Sequence, residues 1–267
     1  MFIKINPNPE DSSLVKKLFA KDEAGKETET FATIEKPVSI FLNDTHVVTS
    51  MTVGDYPKYL ALGYLVNQNI IKLPSEVLGI DFDEEINTVV VRTTGKTKYE
   101  VKEAKRIKTS GCANGTIFED IIDEIDNIKL PYKTFITNKE IFELSKKINT
   151  TPSLYLKSGA IHGCVLCTNS SKIAYFEDVG RHNAVDKLAG FMFLENISPI
   201  NKILYTTGRL TSEMVIKTVM MKIPILASRS GFTAWGVELA RKTNLTMIGR
   251  LRGKRYMILS GDKRIKN

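Results

Sequence analysis

The chain has 267 residues, of which 42% are hydrophobic and 25% charged, values that are ordinary for a globular protein with a buried core. No apolar run reaches the roughly 18 residues that a membrane-spanning helix needs, and the polar N-terminus has no apolar signal core. We therefore expect a cytoplasmic protein with no membrane segment. Three cysteines are too few for a disulfide framework.

The net charge of +8 is concentrated near the C-terminus. Residues 201–267 carry 14 Lys and Arg against three acids, whereas residues 1–200 are slightly acidic. Such a segment is either a solvated basic face or a surface for nucleic acid, a phosphorylated cofactor or an acidic protein. Aromatic residues are not interleaved with these cations as they are in many single-strand binders, so we expect no nucleic acid partner.

In chain order, the first elements form a mixed region of strands and helices. Residues 1–30 are polar, and we interpret them as an arm or an edge strand. Residues 33–49 have the pattern of a hairpin whose turn contains Asn43 and Asp44, residue types that tolerate positive φ. Asp55 is then positioned to cap a helix.

The middle of the chain contains a loop between predicted strands and helices. A pair of strands is expected within residues 78–108, the second of them at residues 99–101. Residues 109–115 have the composition of a loop. Thr116 is placed to cap an amphipathic helix, and a further helix is predicted at residues 138–147.

From Ser153 onward, strands alternate with helices. This alternation predicts an α/β sheet with helices on both faces. We expect strands at residues 160–167, 172–176, 202–206, 223–227, 245–250 and 256–260, and helices at residues 183–194, 211–221 and 233–242.

Cys112 is a candidate reactive thiol. It lies in the loop, between glycines that give little side-chain cover and allow unusual backbone conformations. A cysteine reacts as the thiolate, and a positively charged, accessible setting increases the thiolate fraction. Lys105, Arg106 and Lys108 precede it, and the positive end of the following helix adds to their effect. The residues alone leave an ordinary loop thiol equally open.

Cys164 and Cys167 have the C-x-x-C spacing of zinc and redox sites. If their segment is a strand, however, side chains three positions apart point to opposite faces, and two such thiols cannot share a metal ion. No second pair exists to complete a four-cysteine site. We therefore interpret both as buried structural thiols and predict no metal ligands.

Polar residues between a predicted strand and helix form a second candidate site, at Arg181, His182 and Asn183. Such groups are costly to bury without partners, and they suit a ligand site at a strand end. His182 can carry a proton near neutral pH. A structural polar cluster is the alternative, in which Asn183 caps the helix.

Two further segments suit phosphate groups. Gly208 and Arg209 lie where a strand turns into a helix, so free N–H groups and a guanidinium face the same anion. The second segment has four cations around one glycine, as in a pyrophosphate clamp or an exposed basic turn. Its residues are Arg250, Leu251, Arg252, Gly253, Lys254 and Arg255.

Several of these motifs together resemble the FdhD family, with Asp178 to Asn183 the most specific part. The similarity extends from about residue 30 to the C-terminus. The matching segments are Glu35–Asn43, Leu60–Leu65, Glu177–Lys187, Thr207–Arg209 with Glu213, and Gly249–Arg255.

The resemblance implies an α/β fold, namely a cytidine-deaminase-like three-layer α/β/α domain with a smaller N-terminal α+β region. We accordingly divide the chain into an N-terminal region with a flexible arm (1–108), a Cys-bearing loop with a helical connection (109–152) and a cofactor-binding domain (153–267). Deaminase chemistry is not implied, because His162 precedes a glycine and no proline precedes the cysteine pair, unlike in zinc deaminases.

The resemblance also implies a function. Family members act as homodimers that take persulfide sulfur from a cysteine desulfurase. They pass it to the bis-guanine-dinucleotide molybdenum cofactor before this enters formate dehydrogenase, and GDP is a natural mimic of half the cofactor. Cys112 matches the first cysteine of the family's loop C-x-x-C, whereas Gly115 replaces the second. The family's C-terminal cofactor-binding stretch falls on residues 250–255.

Three hypotheses follow from the sequence. The first is a sulfurtransferase that carries sulfur on Cys112. The second is a non-catalytic chaperone that binds the molybdenum nucleotide and docks on formate dehydrogenase. The third is a zinc or redox protein built on Cys164 and Cys167.

Overall fold

The computed structural model describes residues 4–97, 99–100, 124–125 and 127–266 of the chain. Its first part contains an antiparallel ribbon of two strands, followed by a four-stranded sheet of order β4-β3-β6-β5 with one helix packed on it. These elements are β1 (Val15–Lys21), β2 (Glu27–Thr33), β3 (Lys36–Leu42), β4 (Thr45–Thr52), α1 (Pro57–Asn67), β5 (Val77–Asp83) and β6 (Thr88–Thr93).

The predicted hairpin is confirmed, since β3 and β4 pair antiparallel and Asn43 takes a φ of 53° at the turn. The cap predicted at Asp55 is wrong. Helix α1 begins after Tyr56 without a side-chain cap, because the Asp55 carboxylate instead binds the ammonium of Lys187. The strand predicted at residues 99–101 is also wrong where it can be examined, because residues 99–100 are helical.

A larger mixed sheet of six strands follows, with the order β13-β12-β11-β10-β8-β9. Strands β10, β11 and β12 are parallel to one another, and the other three are antiparallel to their neighbours. The elements of this part are β7 (Ile136–Thr137), α2 (Asn138–Asn149), α3 (Leu154–Ser158), β8 (His162–Cys167), β9 (Lys172–Asp178), α4 (Arg181–Leu194), β10 (Ile203–Thr206), α5 (Ser212–Met220), β11 (Ile225–Ser228), α6 (Ala234–Lys242), β12 (Thr246–Arg252), β13 (Arg255–Ser260) and β14 (Ile265–Lys266).

Helices cover both faces of this sheet, as the alternation of strands and helices predicted. Helices α4, α5 and α6 contribute to one hydrophobic core, and α2 contributes to the core on the opposite face. The mixed α/β architecture is therefore confirmed, while likeness to the cytidine deaminases stays a prediction. Within the described part of the chain, no helix combines the length and the apolar content that crossing a bilayer requires.

Cys164 and Cys167 are both fully buried in β8, and they belong to the cores on opposite faces of the sheet. The predicted geometry is thus confirmed, and it rules out a disulfide or a shared metal ion between the two thiols. Burial raises the pKa of Cys164 to about 12 and raises that of Cys167 as well. Both thiols stay protonated at neutral pH and pack as small apolar groups.

Two glycines bring helices α1 and α4 into direct backbone contact. A Cβ atom on Gly63 would lie 1.7 Å from the carbonyl oxygen of Asp186, and one on Gly190 would lie 2.0 Å from that of Tyr59. No real Cβ atom is found at such distances from backbone. The smaller N-terminal region is therefore joined to the six-stranded sheet through an interface that excludes any side chain at these two positions.

We expect Gly63→Ala to lower the free energy of unfolding by about 3 kcal/mol or more, because backbone must move to admit the new methyl group. Urea unfolding followed by circular dichroism measures the change. Gly95→Ala is the matched control, because no atom of the described residues lies within 4 Å of its added Cβ, and it should change stability little. Equal stability of the two variants would contradict the close helix contact.

Candidate functional site

Five loops meet at one edge of the six-stranded sheet. The parallel strands β10, β11 and β12 end at this edge, and the registers put the start of β8 and the end of β9 there too, since Thr206 pairs with Cys164 and His162 with Asp178. Ligands of open α/β sheets bind outside the carboxyl ends of strands. The edge therefore collects most of the predicted binding residues.

Hydrogen bonds join neighbouring loops along the edge into one surface. Thr207 donates its N–H to Gly163 (3.0 Å), and Ser228 donates its hydroxyl to the carbonyl oxygen of Gly208 (2.6 Å). Farther along, Arg250 donates its N–H to Ser230 (2.9 Å). From β8 to β12 the surface spans three strand spacings, or about 14 Å, which is long enough for an extended phosphorylated ligand.

Four positively charged or titratable side chains gather at the β8–β10 end of this surface. Burial lowers the pKa of His162, and the charges of Arg181, Arg209 and His182 lower it further. Arg181 likewise has a pKa lowered by burial and by Arg209. Like charges placed together while losing water call for a negatively charged partner.

Within the described residues, some polar atoms of this cluster have no hydrogen-bond partner. They are buried Nδ1 of His162, Nε of Arg181 and Oγ1 of Thr211. Buried polar groups in native proteins are almost always paired. These atoms therefore mark where a ligand with acceptor oxygens would complete the arrangement.

Two helix N-termini face the same place. Helix α4 begins after Gly180 and α5 after Thr211, and no side chain in the described part of the protein caps either helix. Their free N–H groups and aligned dipoles favour an anion. Gly208 allows the turn after β10 to lie close to Arg181, because a Cβ at this position would lie 3.1 Å from the Arg181 side chain.

His182 has an acidic neighbour. Its Nε2 lies 2.8 Å from Oε2 of Glu213, in the first turn of α5. The contact with His182 holds the pKa of Glu213 below its usual value. Glu213 thus gives the imidazole an anionic neighbour within ion-pair distance, while Nε2 of His182 has no hydrogen bond to the described residues.

Two predicted binding residues contact other parts of the protein instead. Asn183 donates its amide to the carbonyl oxygen of Met51 (2.6 Å) and to Asp178 (2.9 Å), so its side chain links two parts of the protein. It does not cap α4, which begins two residues earlier. Leu251 is only 2% exposed and packs in the core, so its side chain anchors the basic turn and offers no surface to a ligand.

The remaining residues of the basic turn are exposed. Gly253 has a φ of 58° and Arg250 one of 53°, which lets the chain reverse between β12 and β13. Arg252 donates Nε to the carbonyl oxygen of Arg229 (3.1 Å), and Arg250 lies over the ring of Phe232 at 5.5 Å. Lys254 and Arg255 complete a cationic end of the surface.

Arg229 and His162 were not predicted from the sequence. Arg229 lies in the loop after β11, next to the basic turn, and its guanidinium stacks over Tyr155 at 5.4 Å. His162 is paired with Asp178. Only the pairing of strands distant in sequence brings these two residues to the site, so no local pattern could have identified them.

A buried ion cluster supports the site from below. The Nζ of Lys187 is fully buried and contacts Asp178 (2.6 Å), Asp55 and the carbonyl oxygen of Glu177 (3.1 Å). Asp178 also accepts from the hydroxyl of Thr52 and from the N–H of Gly180 (3.1 Å). The turn that starts α4 is thereby held to strand β4 and to the segment before α1.

Glu177 is an acidic residue that is only 3% exposed. It accepts N–H groups from Leu154 (2.7 Å) and Tyr155 (2.9 Å), and it lines a cavity of about 240 Å³ that also borders Asp55. Burial outweighs these hydrogen bonds and raises the pKa of Glu177 to about 7.

Cys112 lies outside the described residues, as do Gly115, Lys105, Arg106 and Lys108. So does most of the helix predicted from Thr116, although residues 124–125 are helical. On either side of this segment, Glu100 accepts the amide of Asn43 (3.0 Å) and Glu124 lies 3.4 Å from Lys72. Both flanks are therefore attached to the N-terminal region.

Comparisons with known proteins agree with the motifs at this edge. The model of the FdhD/NarQ family matches residues 33–266. A sulfur carrier protein FdhD of Listeria monocytogenes is 30% identical over 91% of this chain and 95% of its own. One from Sulfolobus acidocaldarius is 29% identical over 92% and 95%.

A solved structure is similar over nearly the whole chain. It is a crystal structure from Desulfotalea psychrophila, assigned as a formate dehydrogenase accessory protein. Its TM-score is 0.75 at 28% sequence identity, and the match covers 95% of this chain and 99% of that one.

The Lys187 cluster yields a stability prediction. Lys187→Met should lower the free energy of unfolding by about 3–5 kcal/mol, because it leaves Asp55 and Asp178 buried beside each other without a cation. Lys58→Met, on the exposed face of α1, is the matched control and should change little. Adding Asp55→Asn to Lys187→Met should recover part of the loss. A Lys187→Met protein as stable as its control would show that the cluster contributes no stability.

Glu177 yields a prediction about pH. Between its ordinary pKa of 4.5 and about 7, the folded protein holds a proton that the unfolded chain has lost. Stability therefore falls as pH rises through this range and levels off above it. We expect the free energy of unfolding of the wild-type protein to fall by on the order of 1–3 kcal/mol across this pH range, relative to that of Glu177→Gln.

Urea unfolding at several pH values between 4.5 and 8 measures this difference. Glu143→Gln, on the exposed side of α2, controls for the loss of a carboxylate as such, and its curve should stay parallel to that of the wild-type protein. A parallel curve for Glu177→Gln would argue against the raised pKa.

Proposed function

The chain belongs to the FdhD/NarQ family, and from this premise we propose that it is a sulfur carrier required for formate dehydrogenase activity. It receives persulfide sulfur from a cysteine desulfurase on Cys112. It then delivers this sulfur to the bis-guanine-dinucleotide molybdenum (or tungsten) cofactor, which it binds as a substrate. The cofactor afterwards enters the catalytic subunit of formate dehydrogenase. It works in the cytoplasm as a homodimer, whose fold is related to that of the cytidine deaminases.

The cationic edge of the six-stranded sheet is the observation that carries this proposal. A molecule with two guanine dinucleotides presents several phosphate groups, and Arg181, His182 and Arg209 are gathered about uncapped helix N-termini at one end of the edge. The basic turn at residues 250–255 lies at the other end. Phosphates bound at both ends would fix the cofactor in one orientation.

Sulfur transfer to this protein requires one nucleophile. The thiolate of Cys112 attacks the terminal sulfur of the desulfurase persulfide, the S–S bond of the donor breaks, and the donor cysteine leaves as a thiolate. The sulfur is then held as a persulfide on Cys112. Since Cys164 and Cys167 are buried and protonated, they take no part, and Gly115 provides no second thiol in the loop.

A second candidate is the non-catalytic chaperone, which the same cationic edge favours. Binding of phosphates by this edge does not require Cys112, so a protein that only protected the cofactor would show the same geometry. The two candidates differ in what happens when the thiol is removed while binding is kept.

Binding of GDP tests the cationic edge. We expect Arg252→Ala, Arg255→Ala, Arg181→Ala and His182→Ala each to weaken GDP binding roughly ten- to hundredfold, because each removes a charge-assisted contact. Isothermal titration calorimetry measures the affinities. Arg92→Ala, an exposed residue of β6 paired with Asp81, is the control and should bind normally. Unchanged affinity in all four variants would exclude this edge as the cofactor site.

Cys112→Ser tests sulfur transfer against the chaperone. Serine cannot hold a persulfide, and the change is nearly isosteric, so folding and GDP binding should persist. Formate dehydrogenase from cells with only this variant should contain polypeptide and nucleotide but little activity. Intact mass after incubation with desulfurase and cysteine should show one added sulfur on the wild-type protein and none on the variant.

Normal formate dehydrogenase activity with Cys112→Ser would contradict the sulfur-carrier hypothesis and favour the chaperone hypothesis. Changing Cys164 and Cys167 together to Ala is the matched control, since it removes two thiols that do not react in this proposal. That variant should keep the added sulfur. Gly115→Cys should be unnecessary for activity.

A further inference from the structure

Strand β13 is the last strand of the six-stranded sheet, and in the described part of the chain it pairs only with β12. Met257 and Ile258 are neighbours, so their side chains point to opposite faces of the sheet. They are nevertheless 45% and 42% exposed. Apolar surface is therefore exposed on both faces at this edge, although Leu259 and Tyr256 of the same strand pack against the two cores. Such exposure is unusual for adjacent apolar residues in an edge strand.

A groove of about 500 Å³ lies beside the second half of β13. Its lining includes Ile258 and Leu259 of the strand, Tyr132 on one side and Arg241 and Asn244 on the other. It lies at the end of β13 that pairs with the start of β12, and thus at the opposite end of the sheet from the basic turn. The groove is separate from the candidate cofactor site.

Among the described residues at the groove and directly beside it, two exposed cations face one acid. Arg241 and Lys263 are exposed beside it, and Asp262 is the one acid among its lining residues. Arg241 is held in place by donating Nε to the carbonyl oxygen of Leu259 (3.1 Å). Exposed apolar side chains, an open strand edge and fixed cations thus occur together on one narrow surface.

From this combination we propose that the edge of β13 and its groove bind an extended acidic segment of a partner protein, which adds to the sheet as a seventh strand. Backbone hydrogen bonds to β13 would provide affinity, as in other cases of strand addition. Ile258 and Met257 would contact the partner's apolar residues. Carboxylates on the partner would face Arg241 and Lys263, which adds electrostatic attraction. This inference does not depend on the proposed sulfur transfer.

The occupant is an acidic protein segment because the details of the groove disfavour the alternatives. The Tyr132 ring already has the cations of Lys263 (5.8 Å) and Arg264 (4.4 Å) over it, so a nucleotide base would have to compete with these contacts in order to stack on the ring. A second copy of the same chain would place cations opposite cations. An acidic strand would pair its carboxylates with Arg241 and Lys263 and its backbone with that of β13.

The test uses the full-length protein and a fluorescein-labelled peptide that alternates glutamate with valine. We expect the fluorescence anisotropy of the peptide to rise when it binds, and its affinity to fall as salt is added. Arg241→Glu and Lys263→Glu should each weaken binding roughly tenfold, and Ile258→Lys should also weaken it. Lys58→Glu, a charge reversal on the distant helix α1, should bind normally. Circular dichroism spectra and urea unfolding curves that match those of the wild-type protein show that each variant is folded.

Three probes distinguish strand addition from other binding. A peptide with alternate backbone amides methylated should bind weakly, because it cannot form the ladder of hydrogen bonds. A peptide with lysine in place of glutamate should not bind. Oligothymidylate that binds as well as the acidic peptide, and loses binding in the same variants, would overturn the proposal in favour of nucleic acid. Self-association that is lost in Ile258→Lys would overturn it in favour of a dimer interface.

Discussion

The buried ammonium group of Lys187 links the two parts of this protein. Moving a charge of that size out of water costs several kcal/mol even after relaxation, so the fold must supply compensating anions at fixed positions. It does so with Asp178 from the end of β9 and Asp55 from the segment before α1. Since these carboxylates come from both regions, Lys187 is satisfied only when the regions are joined. The cluster therefore couples the stability of each region to that of the other.

The same cluster determines the shape of the candidate site. Asp178 accepts hydrogen bonds from Gly180 and Asn183, and between these two residues the chain turns into α4. Arg181 and His182 leave that turn toward the cationic edge, so their positions depend on a carboxylate that never meets the ligand. Residues that look catalytic in a sequence can thus divide their work between recognition and support. In this motif, Asn183 and Lys187 stabilise the turn before α4, and Arg181 and His182 remain available to bind a ligand.

Much of the larger domain could be predicted from its pattern of apolar residues. The strands and helices predicted after Ser153 differ from the observed bounds by at most two residues at either end, and Thr233 caps α6 as predicted. The opposed faces of Cys164 and Cys167 followed from strand geometry alone. These features are local, because periodicity and capping depend on neighbours within a few residues.

The errors occur where distant charges override local preference. Asp55 is a good capping residue by type, but its carboxylate interacts more strongly with a buried ammonium that is 132 positions away in sequence. Leu251 lies in a cationic run and could not be recognised as a core residue without knowing which face of β12 is covered. His162 and Arg229 enter the site only through strand pairing. A single sequence contains no direct record of such pairing.

The glycine contact between α1 and α4 has a consequence for biosynthesis. Asn67 and Asp186, which are bonded across this interface, are 119 positions apart, so α1 leaves the ribosome long before its partner exists. Contacts this distant in sequence are slow to form because the intervening chain must first lose much of its freedom. During translation the apolar side of the N-terminal sheet and its helix has no cover from α4. A nascent chain with this exposed apolar surface would bind a molecular chaperone. The chaperone would be released once α4, which carries Lys187, has been synthesised and has packed against α1.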